Sequence, residues 1–86
     1  MANEVACERL AEKLEKHVNI AKGYRSEMRR LDRRVDDAEE GHVSPTMAEN
    51  IDSWNEASRV AGMNLDDEMV KVRRVKATMK QLGCKQ

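Results

Sequence analysis

Residues 40–46 read Glu40-Gly41-His42-Val43-Ser44-Pro45-Thr46, and this stretch decides the fold because one seven-residue pattern stops before it and another starts after it. Gly41 suits the position just past a helix, where a left-handed backbone is needed. Ser44 and Pro45 suit the cap and first residue of a new helix, since the serine hydroxyl accepts an orphan N–H and proline has none to satisfy. Thr46-Met47-Ala48-Glu49 is a second candidate capping box two residues later. With either cap the chain turns here.

Upstream, taking Cys7 as heptad position a, the a positions are Cys7, Leu14, Ala21, Met28 and Val35, and the d positions are Leu10, His17, Tyr24, Leu31 and Ala38. Only His17 interrupts an apolar seam. Downstream, a positions at Ile51, Ser58, Leu65, Val72 and Met79 alternate with d positions at Trp54, Ala61, Glu68, Val75 and Leu82. The pattern weakens around Gly62-Met63-Asn64, and Asn64 followed by Asp66, Asp67 and Glu68 reads as an N-cap with an acidic first turn. The second half is therefore either one kinked helix or two, broken at 62–64.

These patterns predict an all-α fold: a single helical domain over residues 1–86, with a helix at about 4–39, a turn at 40–45 and a helix at about 46–82. A short turn makes the helices antiparallel, as a coiled-coil-like hairpin. Folding about a midpoint between Ser44 and Pro45 sets Val35 against Trp54, Leu31 against Ser58, Met28 against Ala61, Tyr24 against Leu65 and Leu14 against Val75. Large residues meet small ones, which keeps a narrow seam filled.

Composition agrees. Charged residues make up 37% of the chain and aromatic residues 2%, so the core must come from Leu, Val, Ile, Met and Ala. A two-helix seam covers each core residue incompletely, and a chain of 86 residues gains from a partner. Further apolar residues lie beside the seam, and Val18, Ile20, Met63 and Met69 read as a second interface. Its simplest occupant is a second copy, giving a homodimer or higher oligomer as a four-helix bundle; an unidentified protein target is the other.

His17 and Glu68 are the polar intruders in the seam and fall in adjacent layers. They read either as a buried pair that fixes register or responds to pH, or as side chains that reach out to the rim. Arg25, Arg29, Arg30, Arg33 and Arg34 form one basic cluster, and Lys71, Arg73, Arg74, Lys76 and Lys80 another. Phosphate contact is one use for them. Interleaved acids at Glu27, Asp32, Asp36 and Asp37, with Glu8, Glu12 and Glu15 opposite the second cluster, favour solvated faces laced with ion pairs. A helix-turn-helix over Ala57 to Arg74 fails, because its recognition helix would turn Glu68 and Lys71 inward. Trp54 reads as core beside the turn, or as an anchor for a partner if exposed.

No catalytic, metal or cofactor site is expected. Cys7, His17, His42 and Cys84 match no zinc spacing, no Glu-x-x-His pair of the di-iron type occurs, and no glycine-rich phosphate loop or nucleophile motif is present. The two cysteines form no C-x-x-C and fall at an a and an outward f position. They read as a small core residue and a thiol in a frayed tail, which makes a reducing, cytoplasmic location the simpler expectation. The N-terminal residues lack a basic segment followed by an apolar one, and no apolar run is long enough to span a membrane. Net charge is zero, so the molecule as a whole has no field that attracts nucleic acid or an anionic membrane. The resulting expectation is a non-enzymatic protein–protein interaction module acting as an adaptor, assembly factor or inhibitor. The alternative is a nucleic-acid-associated dimer using the Arg25–Arg34 cluster.

Overall fold

The computed structural model describes residues 2–85. Two helices, α1 (Ala2–Glu39) and α2 (Pro45–Gln81), pack along each other as an antiparallel hairpin 64 Å long and about 15 Å across. No strand occurs among the described residues.

Burial follows the heptads. Ala21, Val35, Ile51, Ala61, Val72, Val75 and Met79 form the buried core, all of them at a or d positions. Tyr24, Leu31, Met28 and Leu65 are half-covered, as a two-helix seam dictates, and of the a and d residues only Leu82 is exposed. Cross-helix contacts fit the expected register: the Arg34 guanidinium carbon lies 5.9 Å from the Trp54 ring centroid, and the Ser58 hydroxyl donates to Asp32 Oδ1 at 2.9 Å. Ser58 is thus a satisfied polar residue in the seam as well as a small one.

At the turn, Ser44 is the cap: its extended backbone turns the hydroxyl to accept the Met47 N–H at 3.1 Å, and Pro45 opens α2. The box at Thr46 is not used. Gly41 departs from its expected role, because the only glycine among the described residues with positive φ is Gly83, at 73°. Instead, α1 closes with an ordinary helical bond from the Glu40 N–H to the Asp36 carbonyl.

The break at 62–64 does not occur, and α2 runs through Gly62. Its hydrogen atom faces Met28: a Cβ there would lie 3.4 Å from the Met28 methyl. The missing side chain therefore leaves room for the methionine on α1, and the weak pattern marks a close approach of helices rather than a stop. Asn64 and the acids after it are helix interior.

The largest departure is at the open end. Cys7 and Cys84 are disulfide-bonded, with Cα atoms 5.6 Å apart. The outward f assignment of Cys84 assumed a helix continuing past Gln81. Instead, Gly83 takes the left-handed conformation, its N–H donates to the Lys80 carbonyl, and the Cys84 N–H donates to the Met79 carbonyl. That is a Schellman closure, and it swings Cys84 back over the end of the seam to face Cys7.

Candidate interaction surfaces

The seam's polar pair forms. His17 Nδ1 lies 2.8 Å from Glu68 Oε2, and the other carboxylate oxygen accepts from Lys71 Nζ at 3.3 Å. The side chains of His17 and Glu68 are 14% and 10% exposed, so the pair is inside the seam and not at its rim. Burial pushes the Glu68 carboxyl up, but its bonds to His17 and Lys71 outweigh this and hold it below the ordinary glutamate range. An ionised carboxylate only accepts, so Nδ1 carries the hydrogen and the second ring nitrogen remains for another partner.

In an antiparallel pair the e positions of both helices share one flank and the g positions share the other. On the g flank, Lys13 and His17 from α1 meet Lys71, Arg74 and Val75 from α2 around a cavity of about 320 Å³. On the e flank, Val18, Ala21, Lys22 and Arg25 meet Met69, Val72 and Lys76 around a smaller groove of about 160 Å³.

The expected apolar interface does not assemble as one stripe. Val18 and Met69 share the e-flank groove, Ile20 is half-covered at a g position, and Met63 stands at an outward f position, 56% exposed. Met63 keeps different company: Val60 (43% exposed) and Val70 (40%) follow the same outer side of α2, at a spacing that stacks them along the helix. Val60 and Val70 fall at c and f positions, outside the a and d seam that the heptad pattern follows.

The basic clusters also rearrange. Arg25, Arg29, Arg30, Arg33 and Arg34 are all exposed, and among the described residues none is paired with the interleaved acids; Arg34 lies over Trp54 instead. The second cluster splits between flanks, with Lys71 and Arg74 on the g side and Lys76 on the e side. Arg59 forms an exposed ion pair with Glu56, within α2.

Among the described residues no group of three or more His, Cys, Asp or Glu side chains is placed to hold a metal ion, and no helix is long and apolar enough to cross a membrane. In comparisons with protein-family models, with curated proteins and with solved structures, nothing matches this chain.

Proposed function

We propose that the hairpin is a non-enzymatic protein–protein interaction module, self-associating and serving as an adaptor, assembly factor or inhibitor through the outer face of α2. The observation that carries this reading is the alignment of the exposed Val60, Met63 and Val70 along one side of α2, whereas the other exposed large apolar residues, Val5, Val43 and Leu82, stand near the open end and in the turn. Apolar side chains aligned on a stiff helix are the usual means by which a helix recognises a groove or a second helix. Arg59 and Asp67 stand between and beside them, giving the apolar row a charged border.

Light scattering across a concentration series tests the self-associating form. The expected result is a mass above one chain that returns to one chain in Met63→Glu/Val70→Glu, with helicity unchanged. A wild-type monomer at every concentration removes self-association, and the outer face then has only a different protein as its target.

A second reading has its own observation: five exposed arginines between Arg25 and Arg34 with no carboxylate partner among the described residues. In a dimer they would line up as a phosphate-contacting surface. Binding to random-sequence DNA or RNA that falls steeply with salt supports it, and no binding at low salt ends it.

A cytoplasmic location was expected because both cysteines read as thiols. The Cys7–Cys84 bond takes away that support and favours an oxidising compartment, where such bonds persist.

A further inference from the structure

Both flanks gather cations from the two helices, but the g-flank cavity has twice the volume of the e-flank groove and holds the His17 ring as well. Lys13 comes from α1, and Lys71 and Arg74 come from α2, so cations from both helices converge on one concavity with Val75 and His17 beneath them. Lys71 bonds Glu68, which is almost enclosed. Lys13 and Arg74 side chains have no carboxylate partner among the described residues, and Asp67, one turn before Lys71, pairs with neither. Arg9 and Lys16 stand at c positions bordering the same flank, whereas Glu8 and Glu15 take b positions on the opposite side of α1 and Glu12 points outward. A chain with zero net charge thus gathers positive charge at this concave place, where low-dielectric walls strengthen its potential.

We propose that this cavity binds a small polyvalent oxyanion of the pyrophosphate or phosphate-ester class. A volume of about 320 Å³ is in the range of small-ligand sites. A single carboxylate has two oxygens to share among the three cations, whereas linked phosphates present enough oxygens for two lysines and the forked guanidinium of Arg74. His17 supplies the fourth contact. Its Nδ1 is committed to Glu68, and its other nitrogen offers a lone pair when the ring is neutral and an N–H when it is protonated. An oxyanion accepts from the second form. The charged groups that face this ring are Lys13 from α1 and Glu68, Lys71 and Arg74 from α2.

The test is an NMR titration of the full chain, disulfide intact, with inorganic pyrophosphate at constant ionic strength and acetate as control. Saturable shifts at Lys13, His17, Lys71 and Arg74 are expected with pyrophosphate alone. Lys13→Gln/Arg74→Gln should weaken binding about tenfold or more, the size of lost charge-assisted hydrogen bonds, at an unchanged melting temperature, while Arg29→Gln/Arg30→Gln should leave it as it was. No saturation, or equal weakening by both double variants, overturns the site. A single-stranded oligonucleotide that uses the same residues and binds more tightly than pyrophosphate overturns the small-ligand assignment in favour of a polynucleotide backbone.

Discussion

His17 and Glu68 meet across the seam at 2.8 Å, and Lys71 holds the carboxylate from its other side. The folded protein therefore prefers Glu68 ionised, with its carboxyl below the ordinary range. A carboxyl depressed by folding contributes stability that is fully present above its unfolded value and is lost as pH falls through the folded one. The melting temperature, followed by circular dichroism, should accordingly fall on acidification below the ordinary glutamate range. In Glu68→Gln that fall should be shallower, and an identical profile in both proteins would remove Glu68 as a source of acid sensitivity.

The staple at the open end closes a loop with a sequence separation of 77 residues. On the chain-entropy account a loop of that size restrains the unfolded state by about 4.5 kcal/mol, and natural bonds deliver about 2–4. Reduction, or Cys7→Ala, should lower the melting temperature by roughly 10–20 °C in a chain of this size. Iodoacetamide applied before reduction should label neither cysteine. Labelling at full stoichiometry would mean that the thiols are free.

Two glycines should respond to alanine in opposite directions. Gly23 is exposed in the middle of α1, and a Cβ there would touch nothing; Gly23→Ala should stabilise by about 0.5–1 kcal/mol through helix propensity and a less free unfolded chain. Gly83 has φ 73°, where a side chain costs about 1–2 kcal/mol. Gly83→Ala should destabilise by that amount, and thermal melts of the two variants give both signs in one experiment.

Leu14 and Arg30 separate seam from surface. Leu14 is half-covered in the layer that holds the buried Val75, so Leu14→Asp should cost about 2–5 kcal/mol from lost packing and a charge placed in the seam. Arg30 is exposed and has no partner among the described residues; Arg30→Ala should stay within about 0.5 kcal/mol. Urea unfolding of both would contradict the seam assignment if the order were reversed.

The hairpin, its register and its turn were legible because each rests on local chemistry: heptad spacing, a serine cap and a proline at the first helical position. His17 and Glu68 could be placed in adjacent layers by spacing alone, but whether they bonded or reached for water depended on side-chain rotamers that spacing does not specify. Cys84 was misplaced for a definite reason. The rule that glycine ends a helix was applied to Gly41 and not to Gly83, so the heptad was extended through a residue that reverses the chain. The outer patch at Val60, Met63 and Val70 escaped because heptad reading looks inward. The g-flank cavity needed both helices at once, since its cations come from α1 and α2.

Closing the hairpin at both ends also determines how it carries load. Tension applied at Asn3 and Lys85 enters the molecule outside the Cys7–Cys84 bond and passes from one arm of the hairpin to the other through sulfur, leaving the helices beyond Cys7 and Cys84 slack. The oxidised rod is therefore a short, inextensible link when pulled by its ends. Once reduced it becomes a zipper, in which the same pull peels the seam open layer by layer from Leu10 and Met79 toward the turn.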